Sequence, residues 1–226
     1  MAAHTKIIDL FGLPACGKTT LCQYLHEQLR DRYKVATLNM LIEEARNNKI
    51  KLLFSFSLKM FIASVKVHKA TPSKKNSGSK VSRFYLLKHS LYYTYAMRFS
   101  KYDFIFADHG DIQSFVSMEG GVDFHENRFF CQACSKYIDV SPVAFYVYCD
   151  ILPELSLKRM VKRNTYQGRI ERIKDNGIRL KELELEKERF DFFSKLLKKK
   201  GSIFQKQDMS LTTEHIANEI YSLLEK

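Results

Sequence analysis

A three-layer α/β/α fold around a five-stranded parallel sheet is predicted by three observations. Apolar runs recur along the 226 residues with helical periodicity between them. The runs lack polar alternation, as strands covered on both faces do. The first run ends in Gly12-Leu13-Pro14-Ala15-Cys16-Gly17-Lys18-Thr19, a complete G-x-x-x-x-G-K-[ST] phosphate-binding loop. Strand, loop and helix in that order define a P-loop NTPase sheet, whose strands right-handed crossovers join. At 26.5 kDa the chain suits one domain, residues 1–226, with an arginine-rich helical lid over about residues 155–176.

The strands are expected at Lys6 to Phe11, Lys34 to Asn39, Phe104 to Ala107, Ala144 to Cys149 and Ser202 to Lys206. After the loop, Thr20 to Leu29 reads as a helix whose N-terminal end faces bound phosphate. Two helical stretches, Leu41 to Val67 and Ser82 to Ser100, separate the second and third strands, joined by a polar loop from Thr71 to Gly78. Pro153 and Glu154 open a helix running through Arg163. A longer one spans about Ile178 to Lys199, and Thr213 to Leu224 closes the chain.

The loop assigns the donor side. The loop from Gly12 to Thr20 cradles phosphate oxygens through its backbone N–H groups, Pro14 having none to offer, while Lys18 places a charge on the β/γ-phosphates and the Thr19 hydroxyl goes to Mg2+. ATP and Mg2+ are therefore the expected ligands. The third strand ends in Asp108-His109-Gly110. Asp108 stands at the C-terminal edge of the sheet, where ligands of open α/β sheets bind. It either holds Mg2+ through water or accepts a proton from an attacking hydroxyl; a cap on the following helix is the structural alternative. Gly110 marks a strained turn or the close approach of a ligand.

Arg159 and Arg163 are four residues apart, hence on one helical face, and Arg169 and Arg172 follow. Their guanidinium forks suit a lid closing on the γ-phosphate, with Thr165 to Gly168 as its bend. A solvated basic helix, with Glu171 and Asp175 nearby, is the plainer alternative.

Charge is the unusual feature of the composition, at +12 net. From Ala45 to Lys101 there are 13 Lys or Arg and no Asp or Glu, which points to anionic ligands or to a solvated basic face. Nine aromatics share that segment. Phe54, Leu58 and Phe61 recur at helical spacing and read as core; the other account has rings stacking a base beside phosphate-attracting cations. The most apolar stretch, Leu52 to Val67, is interrupted by Lys59 and Lys66 and is too short and polar to span a bilayer. No leader pattern precedes the first strand, so a cytoplasmic location is expected. Five cysteines fit reduced thiols. Cys131 and Cys134 form a C-x-x-C without a second pair at zinc spacing, which reads as incidental rather than as a zinc or redox site.

The phosphate loop, the acid after the third strand, the R-x-x-x-R lid and the long helix bearing Glu182, Glu188, Phe190 and Phe193 together resemble thymidylate kinases and the related deoxynucleoside kinases, over nearly the whole chain. The resemblance implies ATP-dependent phosphoryl transfer, with Lys18, Arg159, Arg163 and Arg169 clamping the transferred phosphate. Asp108 would then be the base or the metal ligand, and a nucleotide or nucleoside the acceptor. One position departs from the pattern. Thymidylate kinases usually follow the third-strand Asp with an Arg that grips the acceptor phosphate, and here His109 stands in its place. The acceptor is then not a nucleoside monophosphate, or its phosphate is held elsewhere. Glu43 and Glu44 lie where nucleoside kinases place an acid on the acceptor hydroxyl; exposed helix carboxylates are the other reading.

A second functional class is a nucleotide-dependent ATPase or switch, or a polynucleotide-end kinase, binding a polyanionic partner through its basic face. Nucleic acid is the less favoured partner, and a homodimer is compatible with the sequence. GTP chemistry is disfavoured, because Asn48-Lys49 is followed by Ile50 and Lys51 rather than completing N-K-x-D.

Overall fold

The computed structural model describes residues 5–71, 77–119, 127–163 and 168–224, with side chains from 77–85 and residue 119 excepted. The chain alternates from β1 (Lys6–Phe11) through α1 (Lys18–Leu29) to β2 (Val35–Thr37). Four helices follow, α2 (Leu38–Asn47), α3 (Lys49–Phe54), α4 (Leu58–Ala70) and α5 (Ser77–Phe99), before β3 (Phe104–Ala107). Next come α6 (Asp111–Glu119), α7 (Arg128–Val140), β4 (Val143–Asp150) and α8 (Pro153–Arg163). A 3-10 turn (Ile170–Arg172), α9 (Asn176–Lys199), β5 (Phe204–Asp208) and α10 (Thr213–Leu224) complete the chain.

All pairings in the sheet are parallel, in the order β2-β3-β1-β4-β5. The expected three-layer α/β/α architecture is the observed one. Ile7, Ile8, Leu10 and Phe11 of β1 are fully buried, because helices cover both faces of the sheet. One face of β1, β2 and β3 packs on α2 and α5 through Ile7, Ala36, Leu41, Tyr93, Tyr95 and Ile105. β1 is central and its neighbours β3 and β4 lead away in opposite directions, so a crevice opens at its C-terminal end.

The stretch expected as one helix over Leu41 to Val67 is three. Asn48 leaves helical geometry and donates from its side chain to the Glu44 carbonyl at 2.9 Å. The Ser55 hydroxyl takes up the Leu52 carbonyl, and Ser57 caps α4 through the Met60 N–H at 3.5 Å. Short polar side chains thus compete with the backbone ladder at both breaks. The breaks also undo the expected core role of Phe54, Leu58 and Phe61, which are 72%, 62% and 41% exposed. Their spacing has meaning only along one continuous helix, and here it straddles two.

The polar loop expected at Thr71 to Gly78 is shorter, since α5 already begins at Ser77; residues 72–76 lie outside the described residues. Residues 165–167 of the expected lid bend also lie outside them. The second strand is confined to Val35–Thr37 because Thr37 becomes the N-cap of α2. The last runs Phe204–Asp208, two residues later than expected. Among the described residues, no helix is long and apolar enough to cross a membrane.

Candidate active site

The phosphate loop connects β1 to α1 and is braced from three sides. Gly12 has φ 150°, and a Cβ there would stand 2.4 Å from the Cys149 carbonyl oxygen at the end of β4. Only glycine lets the loop pass that close. The Gly12 N–H donates to Gln113 Oε1 at 3.4 Å, and Ser156 of α8 donates to the Pro14 carbonyl at 2.7 Å. Lys18 is buried, its ammonium donating to the carbonyls of Gly12 (2.8 Å) and Leu13 (2.9 Å) and to Cys16 Sγ (3.4 Å). The loop thus holds a desolvated cation at its own centre. Burial raises the Cys16 thiol pKa, but the hydrogen bond with Cys149 and the charge of Lys18 outweigh it and hold the thiol at about 6.

Thr19 donates to Asp108 Oδ2 at 2.8 Å. This pair joins the start of α1 to the end of β3 and presents two hard oxygens beside the loop. Mg2+ is commonly held by one or two protein oxygens together with water and phosphate oxygens, so the donor set fits that ion. Among the described residues no cluster of three His, Cys, Asp or Glu offers a metal cage elsewhere. The helix-cap alternative for Asp108 falls away, because α6 is capped by Asp9, whose Oδ2 accepts from the Asp111 N–H at 2.8 Å and the Ile112 N–H at 3.3 Å.

Two cavities meet at the end of β3. The first, about 370 Å3, is lined by Pro14 to Thr19, with Arg163, Arg169 and Glu186 opposite. The second, about 680 Å3, lies between α2 and α5 and is lined by Asn39, Ile42, Glu43, Arg46, Lys88, Tyr92 and Asp108 among others. His109, Gln113 and Ser117 line both. Burial, and then the charge of Lys18, lower the His109 pKa despite the opposing pull of Asp108, so the shared wall carries a neutral imidazole at neutral pH. Of the two helix carboxylates, Glu43 lines the second cavity, whereas Glu44 accepts the Tyr95 hydroxyl at 3.0 Å. A third cavity, about 310 Å3, lies behind the loop between Thr20, Arg159, Lys162, Met209 and Leu211.

The arginines of the expected lid separate in position and partners. Arg159 donates to the Cys16 carbonyl at 3.1 Å and the Met209 carbonyl at 2.9 Å, which makes it a strut between the loop and the end of β5. Arg163 lines both the first and third cavities, consistent with the shared helical face. Arg169 lines the first cavity while paired with Glu182 (2.8 Å) and Glu186 (3.2 Å) of α9. Arg172 is exposed and does not line the first cavity. The four arginines of the sequence pattern therefore do not converge on one point.

Compared with solved structures, the chain is similar to a deoxyadenosine kinase from M. mycoides solved with its products dCMP and a flexible dCDP. The TM-score is 0.61 at 15% identity, over 97% of this chain and 98% of that one. The same kinase with dCTP bound aligns at TM-score 0.54 and 14% identity, again over 97% and 98%. The fold is that of the deoxynucleoside kinases. No family model matches the sequence, and no curated protein does.

One part of the site escaped sequence reasoning. Asp9 sits fully buried in the middle of β1, and Asp111, also fully buried, opens α6. Asp111 accepts from Tyr137 (3.1 Å) and Ser141 (2.7 Å). Asp9 Oδ1 has no hydrogen-bond partner among the described residues. Burial and then the neighbouring Asp111 charge push Asp9 well above the carboxylate range; burial pushes Asp111 up to about 7. A Cβ on Gly110 would stand 2.2 Å from Asp9 Oδ1. What approaches Gly110 is therefore this carboxylate, not a ligand. The signal was present in the sequence, as a lone acid inside an otherwise apolar strand. The C-x-x-C lies on α7 with Cys134 buried, and all five cysteines are thiols.

Proposed function

We propose that this protein is an ATP- and Mg2+-dependent kinase acting on a small nucleoside or nucleotide acceptor. The observation that carries this reading is the meeting of two cavities at His109, Gln113 and Ser117, one floored by the phosphate loop and the other by a mixed polar and aromatic wall. The first takes the triphosphate. Lys18 neutralises the migrating charge, and Arg163 and Arg169 approach it from the lid side. Thr19 and Asp108 would hold Mg2+, which when bound screens the β/γ-phosphates. Arg159 acts by holding the loop in shape.

The second cavity takes the acceptor. Tyr92 and Ile42 offer surfaces for a planar base, and Asn39 and Glu43 offer hydrogen bonds. Arg46 and Lys88 supply the positive charge that His109 does not. The mycoplasma kinase of the same fold binds dCMP, dCDP and dCTP, and an acceptor of that chemistry matches this lining. In the reaction an acceptor hydroxyl oxygen bonds to the γ-phosphorus as the bond to the β,γ-bridging oxygen breaks. ADP leaves, and the hydroxyl proton passes to Glu43, the carboxylate that lines the acceptor cavity and is left free of Mg2+.

The test is transfer of labelled γ-phosphate across nucleosides, nucleoside monophosphates, sugar phosphates and oligonucleotide ends. A nucleoside or nucleotide product is expected, with Lys18→Ala lowering its rate by about 100-fold or more. Transfer to none of these acceptors, or transfer indifferent to Lys18→Ala, overturns the assignment.

A further inference from the structure

In the hairpin of α3 and α4, the first helix, the turn after it and one face of the second leave large apolar residues in solvent, while Met60, Ala63 and Val67 of α4 are buried. α3 is KIKLLF, yet buries none of its residues. Leu53 is 78% and Phe54 72% exposed, and Phe56, Leu58 and Phe61 extend the same surface across the turn. Phe56 and Phe61 lie against each other, with ring centroids 5.3 Å apart. The hairpin is held from beneath by polar contacts. Arg98 of α5 donates to the Phe54 carbonyl at 2.8 Å and the Phe56 carbonyl at 3.5 Å, and buried Ser55 closes on Leu52. The fold therefore fixes the backbone of this segment while leaving its large side chains in solvent, which is costly unless something covers them.

Lys49, Lys51 and Lys59 are exposed on the same segment, and no carboxylate occurs from Ala45 to Lys101 to offset them. We propose that this hairpin is a docking surface for an anionic lipid bilayer. Leucine and phenylalanine side chains enter the boundary between headgroups and acyl chains while flanking lysines meet the headgroup phosphates. The charge argues for this occupant over a second copy, because two such hairpins packed together would bring identical lysines into one interface. Docking is peripheral, as no described helix is long and apolar enough to span. None of these residues lines either cavity beside the phosphate loop.

The full chain is sedimented with vesicles of phosphatidylcholine containing roughly a third phosphatidylserine, and with pure phosphatidylcholine vesicles. It is expected to pellet with the first and much less with the second, and to release as salt rises. Lys49→Glu, Lys51→Glu and Lys59→Glu should each weaken binding by roughly fivefold or more. Leu53→Ser with Phe54→Ser should abolish pelleting while the melting temperature is kept, since both side chains are exposed. Absence of pelleting by the unaltered chain overturns the proposal, as does pelleting that neither set of substitutions reduces. A dimer by sedimentation velocity that Leu53→Ser with Phe54→Ser dissociates, and that ignores vesicles, assigns the surface to a second copy instead.

Discussion

Gly110 is a position where the structure leaves no room for a side chain. A methyl group there meets Asp9 Oδ1 at 2.2 Å, and that carboxylate has no room to retreat inside the sheet, where it also caps α6. Gly110→Ala is expected to destabilise the protein by about 2 kcal/mol or more, read as a lowered denaturant midpoint. Asp9→Ala in the same chain should remove the clash and leave a cost smaller than the two single changes summed. Asp111 contributes a pH dependence of its own, of the same sign as that of Asp9. Its pKa is raised from the carboxylate range to about 7 in the folded state, so the native state binds the proton more tightly than the unfolded chain. The stability this contributes is complete below about pH 4 and is lost as pH rises through about 7, with a slope approaching 1.4 kcal/mol per pH unit. Asp111→Asn should flatten that part of the stability curve and make the variant relatively more stable at pH 8, measured by urea unfolding between pH 4 and 8. At this scale the phosphate loop and Thr19 were legible in the sequence because a motif of fixed spacing encodes them, and Asp108 because it is the acid that ends the third apolar run. The division of labour among Arg159, Arg163 and Arg169 was not, because it depends on the Cys16 and Met209 carbonyls and on Glu182 and Glu186, which only the fold brings within reach.

Among the elements, the strands read well because an unbroken apolar run in a doubly covered sheet is a local signal; β3 and α10 have the bounds the periodicity predicts. Helices whose ends are set from elsewhere read poorly. α6 starts where Asp9, 102 positions earlier in sequence, caps it. The breaks around α3 depend on serine and asparagine hydrogen bonds and on Arg98 from α5. That dependence is testable. Arg98→Ala removes the donor to the Phe54 and Phe56 carbonyls, and amide exchange should quicken across residues 49–57. The global cost should be no more than about 2 kcal/mol, since the guanidinium contributes hydrogen bonds at an exposed position.

For the molecule as a whole, the order β2-β3-β1-β4-β5 puts the phosphate-loop cavity and its neighbour on one rim. A ligand on that rim would link the ends of β1 and β3 with Arg163 and Arg169, so it should stabilise the entire domain. ATP with Mg2+ at about 100 times its dissociation constant is expected to add roughly 2.7 kcal/mol, seen as a raised melting temperature. Lys18→Ala should abolish most of that rise without lowering the unliganded melting temperature by a comparable amount.

The strut made by Arg159 carries this linkage to the far edge of the sheet. It joins the Cys16 carbonyl to the Met209 carbonyl, just past β5, and the Met209 N–H in turn donates to Asp150 at 2.8 Å. The strand least evident in the amino-acid pattern is thereby yoked to the element most evident in it. A disturbance confined to Met209 would reach the phosphate loop through Arg159 without touching the buried faces of α9 and α10, so damage at that margin should register first as a change in the loop.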